Sequence, residues 1–351
     1  MSDTRYAHEL TVSAPGKALI LGEYAVLYGH PAVVRSVQRQ LHCQIRWQAA
    51  AEHSLLATPV LSAAQAFAFD ADGKLRWQNP DNAQRLPFIK PLFDLLEGWP
   101  ELLSRQLDGK PLHAQITVDS SAFYHQRSSK LGLGSSAALS VALFKAWYQL
   151  RYPSSKLDPE QWLNSLIGLH RQLQQGHGSG VDIAASLYGG LLSFHLQARG
   201  KRATAQPLQW PQGLEVVWIW LGNPASTRHM IEDIELFRRQ CPQPHRQHID
   251  AMAAISSAGL AAIAAGDALA LQQSIAAYGD AMQAFGEAAE APIYTDDHRR
   301  LAALARQTGV AFKPSGAGGG DIALAAATDT TALAEFARQC SAAGYQILGQ
   351  L

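Results

Sequence analysis

The segment Lys313-Pro-Ser-Gly-Ala-Gly-Gly-Gly-Asp321 constrains this chain more than any other part of it. Glycine occupies position 316 and positions 318 to 320, and the apolar run Ile322–Ala327 follows at once. Glycine loses more conformational freedom on folding than any other residue, so such a run needs a reason: positive φ, or the close approach of another group. Two further Gly/Ser stretches, Gly132–Ser136 and Gly176–Gly180, suggest what approaches. Three such loops suit a polyanion, with a nucleotide as the leading candidate.

Composition narrows the class without choosing a chemistry. The chain has 351 residues, 47% hydrophobic and 17% charged, enough for two packed domains. Its 29 Lys+Arg balance 29 Asp+Glu, so net charge does not point to nucleic acid or to an anionic membrane surface. The start, MSDTRYAHELTVSAPGK, lacks an apolar core of signal-peptide length. No run reaches the roughly 18 consecutive apolar residues of a membrane span. Cys43, Cys241 and Cys340 are widely spaced with no CxxC, which argues against a disulfide framework or a zinc site. The expectation is a cytoplasmic, soluble protein, monomer or homodimer, with no nucleic-acid or membrane partner.

Periodicity predicts a β-rich start, with strands at Glu9–Ser13, Lys17–Leu21 and Ala32–Val34 and a turn at Gly29–Pro31 between the last two. Leu41–Trp47 alternates as a half-buried strand, and His113–Val118 is another. Glu52–Pro87 is polar and irregular, with short β-like pieces such as Leu75–Trp77. Helices are expected at Phe88–Leu96, Ser135–Arg151 and Glu160–Gln174, followed by a strand at Leu187–His195. The polar stretch Gln197–Gln212, punctuated by Pro207 and Pro211, reads as the domain boundary. Beyond it come a strand at Leu214–Leu221, three or four helices between Thr227 and Gln307, a strand at Ile322–Ala327 and a helix at Thr331–Ala343. The fold class expected is therefore α+β in two halves, residues 1–205 and 206–351.

Lys130-Leu-Gly-Leu-Gly-Ser-Ser-Ala-Ala138 stands immediately before a predicted helix. Unpaired N–H groups and the positive end of the helix dipole attract phosphate there. Gly132 and Gly134 would let the backbone approach it, and the Ser135 and Ser136 hydroxyls could bind phosphate or magnesium. The same letters fit a dinucleotide fingerprint, but a polar segment holding His125, Arg127 and Lys130 separates them from the strand that motif requires. The plainer alternative is a glycine turn with a serine N-cap. Asp182, in the apparent turn after Gly176-His-Gly-Ser-Gly180, is either a helix cap or a base held ionised by a cation such as Lys17.

Taken together these segments resemble the GHMP kinases, named for galactokinase, homoserine kinase, mevalonate kinase and phosphomevalonate kinase. Ala14-Pro-Gly-Lys-Ala-Leu-Ile-Leu-Gly-Glu-Tyr-Ala-Val-Leu-Tyr-Gly-His30 is similar to the first family motif, Gly132–Ala138 to the second and Lys313–Asp321 to the third, in family order. Within the family the nearest likeness is to the bacterial branch that phosphorylates 5-phosphomevalonate. It rests on Lys130, on His170-Arg-Gln-Leu-Gln-Gln-Gly-His-Gly-Ser-Gly-Val-Asp182, on Trp220–Thr227 and on Asp321, while Glu52–Pro87 has no counterpart.

The resemblance implies a ribosomal-S5-like N-terminal ATP-binding domain and a ferredoxin-like C-terminal domain. It implies ATP held by Lys130, Gly132, Leu133, Gly134, Ser135, Ser136 and Ala137, with Mg2+ held partly by Ser135 or Ser136. Lys17 and Asp182 are the implied catalytic pair. Substrate contacts are implied for Lys17, Glu23, His177, Ser179, Gly180, Ser226, Thr227, Arg228, Gly316, Ala317, Gly318 and Gly319. The acceptor would be phosphomevalonate. Alternatives are mevalonate or another small molecule, a decarboxylase on the same fold, or a non-catalytic binding protein.

Overall fold

The computed structural model describes residues 9–49, 51–59, 61–81, 86, 88–125, 129–176, 178–197, 202–222 and 227–349. Two compact units emerge, each built from separated stretches of chain. The first comprises Met1–Gly16, Arg39–Phe123 and Gly134–Leu187, and the second Lys17–Gln38, Tyr124–Leu133 and Tyr188–Leu351. Residues 188–205, assigned to the N-terminal half from sequence, thus group with the second unit.

In the first unit the later half of strand Ala32–Gln48 pairs antiparallel with Lys110–Asp119, from His42 opposite Asp119 to Gln48 opposite His113. Ser54–Ala57 adds in parallel on the other side, then Gln65–Phe69 and Leu75–Trp77 antiparallel. The Glu52–Pro87 stretch, expected to be irregular with short β-like pieces, holds three short strands among its described residues, one of them Leu75–Trp77 as expected. They are too short, at three to five residues, to show a period. Phe67, Phe93 and Trp99 pack them against helices Ile89–Leu95 and Trp99–Leu103.

Helix Pro159–Leu173 starts where its sequence says it should. Asp158 caps it by accepting from Glu160 N–H at 3.0 Å, and Pro159 fills the first turn, where no backbone donor is needed. Leu163, Leu166, Ile167 and His170 recur at helical spacing and are all buried.

In the second unit the start of strand Ala32–Gln48 pairs with Leu191–Leu196, which pairs with Ala203–Leu208. The last of these lies inside the polar stretch taken as a domain boundary; alternation of Thr204 and Gln206 with Ala203 and Ala205 is the pattern that was there to read. The strand expected at Leu187 begins only at Leu191, because Val181–Tyr188 is helical and Gly189 and Gly190 both have positive φ.

A four-stranded antiparallel sheet follows, with spatial order Ala311–Ser315, Ile322–Ala327, Glu215–Trp220, Gln346–Gly349. With four helices in the first crossover and one in the second, the strands and helical layers follow the β-α-β-β-α-β order of a ferredoxin-like unit. Helix Pro242–Ala265 is long and apolar enough to cross a membrane by length and composition alone. Here it packs on helix Ala268–Ala288, and Ile249, Met252, Ala253, Ala262 and Ile263 are buried inside the unit.

Helix Asp296–Thr308 begins with a reciprocal cap. Thr295 Oγ1 accepts from His298 N–H at 3.3 Å, and His298 Nδ1 accepts from Thr295 N–H at 3.2 Å. The His298 ring is fully buried and its Nε2 has no hydrogen-bond partner among the described residues. Burial pushes its pKa down from 6.5 to about 4, since an imidazolium there would be poorly solvated. The folded state thus binds fewer protons than the unfolded chain between those values, so stability falls as pH drops from about 6.5 towards 4. The full effect is on the order of 3 kcal/mol. Urea midpoints of wild type and His298→Gln at pH 7 and pH 5 check this: the wild type should lose more on acidification than the variant.

Candidate active site

Each unit positions its own share of the expected residues. In the first, helix Ser135–Arg151 opens at Gly134, whose φ of 78° places it in the left-handed region. No side chain caps the helix: Gly134 is the cap residue, in place of the serine cap of the plainer alternative, and Ser135 and Ser136 stand in the first turn. Its leading N–H groups are left for another acceptor, the arrangement that attracts phosphate. Ser136 Oγ lies 3.4 Å from Nε2 of the buried His170. Ala137 is fully buried and can offer only its backbone.

The loop before Asp182 is pinned from behind. Arg171 donates from Nε to the Gly178 carbonyl at 3.0 Å and from its terminal nitrogen to the Ser179 carbonyl at 3.2 Å. Gly180 is buried where a Cβ would come within 2.6 Å of Ile167, so a side chain there has no room. Ser179 Oγ accepts from Val181 N–H at 3.3 Å. Asp182 is half-buried in the first turn of helix Val181–Tyr188 rather than in a turn between apolar segments, and its Oδ1 accepts from Ile183 N–H at 2.9 Å. A carboxylate at that end of a helix is favoured by the dipole.

The second unit contains Lys17 and the glycine loop. Lys17 donates its backbone N–H to the Leu133 carbonyl at 2.8 Å. Its ammonium nitrogen lies 3.6 Å from where a Cβ of Gly316 would stand. Leu133 is buried, and Lys130 is exposed on the short hairpin Tyr124–His125 with Ser129–Lys130. Glu23 and Lys313 form an ion pair with both side chains almost fully buried, and Glu23 Oε1 also accepts from Gly316 N–H at 3.2 Å. Burial lowers the Lys313 pKa, and the Glu23 charge and hydrogen bond pull it back up. Ser315 Oγ accepts from Leu19 N–H and donates to the Leu19 carbonyl, each at 3.0 Å. Gly319 N–H donates to the Ile293 carbonyl at 3.0 Å. Gly316 and Gly319, both expected to contact substrate, therefore use their N–H groups within the unit; Gly318 is buried and Ala317 half-buried.

Gly132 has a specific neighbour. Its φ is 72°, and a Cβ would lie 2.6 Å from Cβ, Cγ and Oδ2 of Asp321. The last residue of the third motif thus occupies the space a side chain at 132 would need. Gly132→Ala is expected to cost about 1–3 kcal/mol through strained φ and crowding. Adding Asp321→Ala should not restore the loss, because the crowding involves the Asp321 Cβ as well as its carboxylate; thermal unfolding of the single and double variants checks this.

Among the remaining expected residues, His177 and Ser226 lie outside the described residues, as does Arg127, and only the backbone of Thr227 and Arg228 is described, at the start of helix Thr227–Gln240. The described residues include no group of three or more His, Cys, Asp and Glu able to hold a metal. A cavity of about 460 Å³ beside Glu287, Glu290, Tyr294 and Arg299 contains none of the expected site residues. Sequence reasoning gave no role to Lys313, Tyr24, Ser315, His170 or Arg171. A lysine inside an otherwise apolar strand, and a histidine on the buried face of a helix, were the available signals.

The glycine-flanked, uncapped helix N-terminus belongs to the first unit, and the glycine loop braced by a buried ion pair belongs to the second. Residues 98–190 match the family described as GHMP kinases N terminal domain. A phosphomevalonate kinase of Streptomyces sp. (strain CL190) is 27% identical over 337 residues, covering 89% of this chain and 88% of that one. A mevalonate kinase of Schizosaccharomyces pombe is 27% identical over 277 residues, covering 72% of this chain and 67% of that one. The structure of Streptococcus pneumoniae phosphomevalonate kinase in complex with phosphomevalonate and AMPPNP matches with a TM-score of 0.74 at 18% identity, over 97% of this chain and 98% of that one. Residues 98–190 are thus similar to the GHMP kinases, and the α+β fold of the chain is that of solved GHMP kinase structures.

Proposed function

We propose that the protein transfers the γ-phosphoryl group of ATP to the phosphate of 5-phosphomevalonate, giving the diphosphate. The likeness to the Streptomyces phosphomevalonate kinase along 89% of the chain carries this reading. Lys130 before the second motif and Asp321 at the end of the third support it. On this reading residues 1–205 serve as the ATP-binding domain and 206–351 as the C-terminal domain of a cytoplasmic enzyme, monomer or homodimer.

Phosphoryl transfer asks mainly for positioning and charge neutralisation. Gly132, Gly134 and the first-turn N–H groups of Ser135, Ser136 and Ala137 cradle the nucleotide phosphates. Magnesium, when bound, neutralises phosphate charge, and the hard hydroxyl oxygens of Ser135 and Ser136 suit an ion that takes most of its ligands from phosphate and water. Lys17 offsets the repulsion between donor and acceptor. A phosphomonoester has a second pKa of about 6 and is largely dianionic at neutral pH, so it scarcely needs a base. Asp182 accordingly orients Lys17 or takes a residual proton. Lys130, Arg127, His177 and Arg228 supply positive charge to the acceptor, and Ser226 and Thr227 hydroxyls.

Mevalonate as acceptor is the second reading, favoured by the equal identity to the S. pombe mevalonate kinase over a shorter span. An ADP-release assay across phosphomevalonate, mevalonate, galactose and homoserine separates the two. Turnover of phosphomevalonate is expected; turnover of mevalonate with none of phosphomevalonate overturns the first reading.

A further inference from the structure

Tyr24 is an outlier of backbone conformation. Its φ of 61° and ψ of −54° lie outside the regions that side-chain-bearing residues normally occupy, and Ala25 N–H donates to the Glu23 carbonyl across it at 2.6 Å. That is a γ-turn of the strained hand, a conformation that persists only where surrounding contacts impose it. The turn has an identifiable result: it aims two consecutive side chains at the glycine loop. Glu23 reaches Lys313 and Gly316 N–H, and the Tyr24 hydroxyl donates to the carbonyl of Ala317.

Contacts on every side hold the turn. The Tyr278 hydroxyl donates to the Glu23 carbonyl at 2.7 Å, and the Tyr24 ring meets the Phe285 ring edge-on, with centroids 5.3 Å apart. Burial first, and the adjacent Glu23 charge second, push the Tyr24 phenol pKa up, so the hydroxyl keeps its proton and remains a donor. The loop it holds is the one whose Gly316 lies beside the Lys17 ammonium.

We propose that Tyr24 is a positioning residue for phosphoryl transfer, acting through the Ala317 carbonyl to hold the loop Gly316–Gly319 in register with the Lys17 ammonium. The proposal rests on the phosphotransfer reading above, but its structural half can be measured without turnover. Tyr24→Phe keeps the ring against Phe285 and removes only the hydroxyl. Tyr24→Gly accepts the positive φ without strain and removes the clamp as well, so it guards against a folding defect specific to the first variant.

Amide hydrogen exchange of the peptide spanning Gly316–Gly320 should become faster in both variants while other segments keep their protection. For Tyr24→Phe, kcat with phosphomevalonate should fall by about tenfold, with KM for ATP within about twofold of wild type. Unchanged loop exchange in both variants overturns the clamp, whatever the activity. Faster exchange with an unchanged kcat overturns the positioning role. A wild-type enzyme inactive on every acceptor in the panel overturns the phosphotransfer reading and with it the catalytic half of the proposal, while the exchange measurement still decides the structural half.

Discussion

Replacing Lys17 by methionine is expected to lower kcat by about 100- to 1000-fold, the range for removing one preorganised group that stabilises transition-state charge. Methionine has a similar length and leaves no large cavity, so the change is chiefly one of charge. Lys17 is half-buried and makes no ion pair among the described residues. Its backbone is fixed by Leu133, and its ammonium stands beside Gly316. A positive charge held near a glycine loop is available to phosphate. Steady-state ADP release with phosphomevalonate tests this, and a variant retaining more than a tenth of wild-type kcat would remove Lys17 from the chemistry. Asp182→Asn should cost less, because the dianionic acceptor does not require a base.

Loss of Lys313 should act on stability instead. Lys313→Met leaves Glu23 as an uncompensated buried carboxylate and is expected to destabilise the protein by about 3–5 kcal/mol. Pairing it with Glu23→Gln removes the stranded charge, so the double variant should recover much of the loss, since a buried pair replaced as a whole is often close to neutral. Urea midpoints of the two single variants and the double variant give the coupling directly. A double variant no more stable than Lys313→Met would mean that the pair is not the source of the effect.

Long, strongly patterned elements were legible from the letters. Helix Ser135–Arg151 was read with the bounds it has, since small residues near Gly134 give way to bulky apolar ones along its length. The helix holding Asp182 was missed because it has only eight residues and merges into the apolar run after Gly190. Strand Ala311–Ser315 was missed for another reason: all five residues are buried, so alternation is absent, and Pro314 reads as a breaker. Its lysine is legible as structural only beside a carboxylate 290 residues away in the chain, which no local pattern reveals. The third motif was recognised as a loop, but the bonds by which Glu23, Tyr24, Ser315 and Ile293 brace it are tertiary facts.

That separation of 290 residues has a consequence during synthesis. At roughly 5–20 residues per second, Glu23 leaves the ribosome about 15–60 s before the lysine that neutralises it exists. Throughout that interval the segment Lys17–Gln38 cannot bury its carboxylate without strong penalty, so it stays solvated and the second unit stays open. Synthesis of the segment holding Lys313 is therefore the event that permits this unit to close, and a nascent chain stalled before Lys313 should remain sensitive to protease around Glu23.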